Sequence, residues 1–147
     1  MLDTGATLKG YFCDFDRNFH LAGAHGEGPN DEVKRAHETL WLATEAGLAA
    51  ARPGASCADI FAAMRKVIGP DGGNVGRYGH GLGMQLTETP SLIEWDQTIM
   101  CEGAVMTLEP SMQVHDGQML VHEENIVIRD GAPQLLTRRT PRQMPTI

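Results

Sequence analysis

The stretch Leu2-Asp3-Thr4-Gly5-Ala6-Thr7-Leu8-Lys9-Gly10-Tyr11-Phe12-Cys13-Asp14-Phe15-Asp16-Arg17 reads as two short strands folded back on each other. Leu8-Lys9-Gly10 supplies the turn. In the second strand Tyr11, Cys13, Phe15 and Phe19 share one face at period 2, and Phe12, Asp14, Asp16 and Asn18 share the other. Cys13 therefore reads as a core residue. Asp3 and Asp14 stand 11 residues apart across the hairpin, a separation that can bring two carboxylates together. Asp16 shares the face of Asp14 and reads as a solvated acid.

Outward from this hairpin, residues 21–30 form a glycine-rich loop ending in Pro29-Asn30. A helix is predicted over 31–51. Asn30 is its N-cap, Asp31 and Glu32 suit the positive end of the dipole, and Val33, Ala36, Leu40, Ala43 and Leu48 form its apolar stripe. His37 falls on the polar side. Pro53-Gly54 ends this helix, and Ser56-Cys57-Ala58-Asp59 opens a second with a capping-box pattern. Its buried face is predicted to be Ile60, Phe61, Met64, Val67 and Ile68, and Gly69-Pro70 stops it. Strands are then expected at Leu82–Leu86, Ala104–Leu108 and Met119–Ile128, with turns at Asp96-Gln97, Glu102-Gly103 and Asp116-Gly117. Hairpin, two helices and several antiparallel strands make an α+β layout, with the helices on one face of a curved sheet.

The bulk numbers narrow the function. A chain of 147 residues fits one domain. Its net charge of −7 repels nucleic-acid phosphates and anionic lipid, so neither is an expected partner. Three cysteines, Cys13, Cys57 and Cys101, are odd in number and contain no CxxC pair. No disulfide framework is expected, and a reducing cytoplasm is the expected compartment. Met1-Leu2 runs directly into Asp3 with no leader pattern, and no apolar run approaches the ~18 residues of a membrane span.

Chemistry-bearing residues sit beside turn or strand ends in Asp3-Thr4-Gly5, Asp14-Phe15-Asp16-Arg17, Gly79-His80-Gly81-Leu82-Gly83, Leu108-Glu109-Pro110 and Glu123-Glu124-Asn125. Singly, each is an ordinary turn acid or a lone histidine. Together, four carboxylates and one imidazole form a hard, oxygen-rich set. Such a set suits Mn²⁺, Co²⁺ or Fe²⁺, with Zn²⁺ also admitted, better than it suits a thiolate-type site.

In this order and spacing the motifs resemble the pita-bread metallohydrolases: methionine aminopeptidase, aminopeptidase P, proline dipeptidase and, without metal, creatinase. The matching positions are Asp3, Asp14 with Arg17 after it, His80, Glu109 and Glu123 before Ile126-Val127-Ile128. The resemblance covers nearly the whole chain. It implies a dinuclear centre that hydrolyses a C–N bond of a small peptide or small-molecule amide. Asp14 and Glu123 would bridge the ions, Asp3 would hold one, and His80 and Glu109 the other. Glu109 would also carry a proton from water to the leaving nitrogen. Neighbours on a strand face opposite ways, so only one of Glu123 and Glu124 can enter the site, and the family pattern selects Glu123.

The sequence departs from the family at two places. Peptidases of the group commonly carry a second histidine soon after the first, and Thr87 stands there instead, as a candidate substrate-binding residue. Aminopeptidase P-like chains often have an arginine where this one has Val121. The string His122-Glu123-Glu124-Asn125 and the tail Leu136–Pro141 resemble a bacterial subgroup that includes ectoine hydrolases. An Xaa-Pro peptidase and a small-molecule amidohydrolase therefore both stand, with a creatinase-like hydrolase and a non-catalytic binding module as further alternatives. The first ligand position lies close to the start of the chain, which implies the C-terminal part of a catalytic domain, and a homodimer would cover its exposed core. His25 and His115 read as solvated loop side chains, His122 as turned away from the site, and Arg138 and Arg139 as tail charges.

Overall fold

The computed structural model describes residues 1–147 except His25, Asn74 and Val75, and all of their side chains except those of Asp71 and Asp116. The reading of His25 thus lies outside the described residues. Strands β1 (Leu2–Leu8) and β2 (Tyr11–Arg17) form an antiparallel ribbon that pairs Asp3 with Asp16 and Gly5 with Asp14. The two turn residues, Lys9 at φ 52° and Gly10 at φ 87°, are both left-handed. A two-residue hairpin needs this to match the twist of its strands.

Helix α1 (Asp31–Ala50) starts where Asn30 accepts a hydrogen bond from Val33 N. Helix α2 (Cys57–Ile68) starts on a complete capping box, in which Ser56 Oγ accepts from Asp59 N and the Asp59 carboxylate accepts from Ser56 N. Strands β3 (His80–Gly81), β4 (Glu88–Ser91), β5 (Val105–Leu108), β6 (Ser111–Gln113), β7 (Met119–Val121), β8 (Glu124–Val127) and β9 (Gln134–Leu135) follow. They form an antiparallel sheet of order β4-β3-β5-β8-β9 and a separate β6-β7 ribbon. Leu40 and Ala43 of α1, Ile60 and Met64 of α2, Met106 and Leu108 of β5, and Ile126 and Ile128 at β8 meet in one core. The expected α+β architecture is present.

Several local expectations fail, each for a physical reason. Leu82–Leu86 is not a strand. Leu82 N still donates to Val105 O of β5, but Gly83 N donates to Gln85 O and Phe12 N to Gly83 O, so beyond Leu82 the segment bends away from the sheet and meets the hairpin. Pairing resumes at β4, which the sequence reading missed along with β6 and β9. Met119–Ile128 is broken into β7 and β8 by His122-Glu123. Cys13 is exposed. Tyr11 and Cys13 face solvent, while Phe12 and Asp14 turn partly inward. The polar parity is therefore the one that meets the body of the protein.

Val67 is 37% exposed, outside the core that Met64 and Ile68 enter. His37 is buried, because α1 is covered on a second side by the C-terminal tail. Its Nε2 contacts Pro141 O at 3.0 Å, and its ring meets His122 edge-on at 4.7 Å. Arg139, read as a tail charge, stacks on Trp41 and pairs with Glu45. Helical periodicity marks one apolar stripe and carries no signal for a second, polar layer.

Unfolding measurements should separate these environments. Met64→Ala removes a fully buried side chain and is expected to cost ~2–5 kcal/mol. Val67→Ala, one turn on, should stay within ~0.5 kcal/mol in urea denaturation.

Candidate metal centre

Four ligand-capable atoms converge, one each from Asp14, His80, Glu109 and Glu123, all within 4.8 Å of one another. Each comes from a different place in the fold: β2, the start of β3, the end of β5 and the break between β7 and β8. His80 Nε2 lies 3.5 Å from Asp14 Oδ2 and 3.5 Å from Glu109 Oε2. The His80 ring is oriented from behind, where Nδ1 contacts the Gly81 carbonyl at 2.8 Å. A carbonyl can only accept, so Nδ1 carries the hydrogen and Nε2 faces the carboxylates, the arrangement usual for a metal-binding histidine.

Close backbone approach makes this possible. Gly79 has φ 152°, and a Cβ there would sit 2.2 Å from Thr107 O. Glycine at this position lets His80 N reach Thr107 Oγ1 at 3.0 Å and Tyr78 O accept from Glu109 N at 2.9 Å. His80 and Glu109 are thereby held on adjacent backbone. Glu109 and Glu123 are linked in turn, because His122 N donates to Pro110 O at 3.1 Å. The hairpin is fastened last: Asn125 Nδ2 donates to Asp14 O, Asn18 Nδ2 to Val121 O, and Arg17 Nη1 to Glu123 O at 2.6 Å.

The break before β8 separates the two adjacent glutamates. Glu123 enters the cluster. Glu124 points the other way and is also buried, where its carboxylate accepts from Arg17, Thr137 Oγ1 and Thr140 N.

Electrostatically the cluster is overloaded with negative charge. Burial, then Asp14, Glu109, Asp16 and Asp3, push the Glu123 carboxyl up to about 9. Burial and the neighbouring acids also raise Asp14, although His80 opposes them. Asp16 is buried rather than solvated, and burial with Asp3 and Asp14 raises it to about 7. Burial pulls the His80 imidazole down, but its contacts with Glu109 and the Gly81 carbonyl outweigh this, and its pKa is raised.

Asp3 is exposed and stands outside the four-residue group, although its charge is felt by Asp14, Asp16 and Glu123. A cavity of about 390 Å³ opens between Asp3, Asp14, Phe12 and Leu86. Thr87 lies exposed in the bend before β4 and has no hydrogen bond to the cluster among the described residues. His122 is buried, and burial with the charges of His37, Arg17 and Arg139 lowers it to about 3. His115 is exposed, with its backbone N donating to Glu32. One neighbour escaped the sequence reading: Arg77 Nε donates to Glu109 Oε1 at 3.0 Å. Its place three residues before His80 was the only signal available.

The residues fit a divalent cation. Ligand distances of about 2.0–2.2 Å set neighbouring ligand atoms ~3–4 Å apart, compatible with the spread seen here. Glu123 Oε1 is buried without a hydrogen-bond partner among the described residues. A buried carboxylate oxygen left unpaired among other acids is one that a bound cation would satisfy. Among the described residues no helix is long and apolar enough to cross a membrane.

Comparison with known proteins agrees with this geometry. The chain is 32% identical over 139 residues to the putative dipeptidase YkvY of Bacillus subtilis, covering 92% of this chain and 37% of that protein. It is 26% identical to an Xaa-Pro dipeptidase of Pyrococcus horikoshii, covering 92% of this chain and 38% of that one. The X-Pro aminopeptidase structure from Thermotoga maritima superposes with a TM-score of 0.86 at 27% identity, over 99% of this chain and 40% of that one. The chain thus spans about two-fifths of the length of these relatives. Since the profile of metallopeptidase family M24 matches residues 1–130, most of the sequence and all of the clustered residues, the chain belongs to that family.

Proposed function

We propose that the protein hydrolyses a C–N bond of a small peptide of the Xaa-Pro kind, with two divalent cations held by Asp3, Asp14, His80, Glu109 and Glu123. The convergence of Asp14, His80, Glu109 and Glu123 carries this reading. The relatives named dipeptidase and aminopeptidase support it. When bound, the ions supply an activated water and polarise the scissile carbonyl. Asp14, His80, Glu109 and Glu123 would hold them, with Asp3 as a further ligand. The Glu109 carboxyl is only 16% exposed and is held by Arg77 and His80. From that position it would take a proton from water and deliver it to the leaving nitrogen, without which an amide nitrogen leaves poorly. Thr87 cannot carry the charge of a histidine. Together with Val121 this favours, as a second reading, a small-molecule amidohydrolase of the ectoine hydrolase kind. Under either reading Thr87 is proposed to contact substrate as a hydrogen-bond donor.

Metal uptake tests the centre directly. Titration of the purified protein with Mn²⁺ is expected to load two ions per chain, and Asp14→Ala and Glu109→Ala should each lose at least one. Loaded protein should then release proline from Xaa-Pro dipeptides. A well-folded protein that takes up no Mn²⁺ would overturn the metallohydrolase reading.

The raised carboxyls also predict a pH dependence for the metal-free protein. The Glu123 pKa lies above its ordinary value of 4.5, at about 9. The folded state therefore binds this proton more tightly than the unfolded state does. Its stabilising contribution is complete below pH 4.5 and is lost as pH rises toward 9. Metal-free protein should melt at progressively lower temperature across that window. Glu123→Gln should flatten the trend, and Mn²⁺ should restore stability at the alkaline end. An equal slope in the wild type and the variant would contradict the assignment.

A further inference from the structure

The two edges of the β1–β2 ribbon are used differently. On the β2 side Phe12 N donates to Gly83 O, Asp14 O accepts from Asn125 Nδ2, and Asp16 O accepts from Arg17 Nη1. These residues turn their backbone groups away from β1. The ladder bonds are therefore exchanged between Tyr11, Cys13, Phe15 and Arg17 on β2 and Leu8, Ala6, Thr4 and Leu2 on β1. The backbone groups of Asp3, Gly5 and Thr7 point the other way, off the outer edge of β1. Among the described residues none of these three has a backbone partner there. All seven residues of β1 are exposed. Its register with β2 is continuous, and it contains neither proline nor lysine. Bulges, prolines and lysines are the usual devices that keep an edge strand from pairing.

This edge is complementary to itself. Laid antiparallel on a second copy, with the twofold axis at Gly5, Asp3 stands opposite Thr7 of the second copy, Gly5 opposite its equivalent, and Leu2 opposite Leu8. The outward groups then meet as three hydrogen-bonded pairs that exchange about six bonds. A slip of one residue would set outward groups against groups already spent on β2. Leu2 and Leu8 are 53% and 76% exposed and lie on the face shared by Tyr11. They would meet as non-hydrogen-bonded pairs, where side chains come closest. Asp3 is the one charged residue of β1. It would face a threonine, about 14 Å along the strand from its own copy and beyond the ~8 Å reach of charge in physiological salt. We propose that the outer edge of β1 docks a second copy of this chain, joining two ribbons into one four-stranded sheet. A lone two-stranded ribbon is marginal in water, and further strands with an apolar face stabilise it. Asp3 and Asp14 lie on the opposite face, at the cavity they share with Phe12 and Leu86, so both candidate centres stay open. The inference stands apart from the hydrolase reading.

Self-association of the purified, metal-free protein tests it. A pair of seven-residue strands buries less than a standard interface of ~1,600 Å², so sedimentation equilibrium is expected to show a dimer with Kd of roughly 1–100 µM. Thr7→Pro removes an outward N–H and no bond to β2. It should raise Kd about 10- to 100-fold, for two hydrogen bonds lost per dimer, with the helical circular dichroism unchanged. Register is read by disulfide trapping in a Cys13→Ser, Cys101→Ser background, which decides even where Thr7→Pro disturbs the ribbon. Leu2→Cys mixed with Leu8→Cys should cross-link, because such partners lie ~4.5 Å apart between Cα atoms. Neither variant alone should, because like positions lie ~20 Å apart. A protein that stays monomeric throughout the range overturns the inference and leaves the edge to a different chain. A dimer that a folded Thr7→Pro does not weaken, or that yields no mixed cross-link, also overturns it, because the copies then meet elsewhere.

Discussion

The guanidinium of Arg17 is the fastening on which the centre depends. From β2 it reaches the backbone of Glu123, the carboxylate of Glu124 and the carbonyl of Arg138. The ribbon bearing Asp14, the strand break bearing Glu123 and the C-terminal tail are all held by one side chain. A buried ion pair is not automatically stabilising, because both partners lose water. Here the cost is offset by hydrogen bonds on every side: Thr137 and Thr140 complete Glu124, and carbonyls complete Arg17. The pair therefore serves to specify one arrangement of three segments. Among the described residues β1 and β2 make no ladder with the main sheet, so Arg17, Asn18 and Asn125, with the bond from Phe12 N to Gly83 O, are polar links that hold the ribbon in place.

Around that fastening the protein gathers carboxylates whose mutual repulsion opposes folding. The raised pKa values of Asp14, Asp16 and Glu123 express this cost, and burial is the largest cause in each. Such frustration is common where a site is shaped for a charge that arrives later. The scaffold tolerates it because the apolar core between the two helices and the sheet lies elsewhere, in Leu40, Met64, Leu108 and Ile126. Arg77 belongs to the same balance, as a cation at the rim that steadies Glu109 without filling the centre.

The tail shows how far a polar layer can shape a fold. His37 and His122 are both buried, edge to face, under Pro141, Thr140 and Arg139. Both imidazoles are lowered, first by burial, which favours their neutral forms. A neutral His122 next to Glu123 adds no counter-charge to the cluster, so the excess negative charge remains there for a cation to balance.

Much of this was legible in the sequence. The hairpin was, because Lys9-Gly10 has few alternatives to a left-handed turn. Both helix starts were, because Asn30 and the Ser56–Asp59 box satisfy backbone donors locally. The four clustered residues were legible by motif order, and the opposite facing of Glu123 and Glu124 by strand parity. What sequence alone left open depended on partners far along the chain. Which of Cys13 and Asp14 faced inward depended on how the ribbon docks on the body, through bonds such as that from Asn125 Nδ2 to Asp14 O, 111 residues apart. Whether His37 was dry was decided by Pro141, 104 residues on. Arg77 joined the site only because β5 ends beside Tyr78. Local patterns record the interactions a residue makes with its near neighbours. Burial, charge coupling and the convergence of a site come from contacts across the fold, and only the tertiary structure decides them.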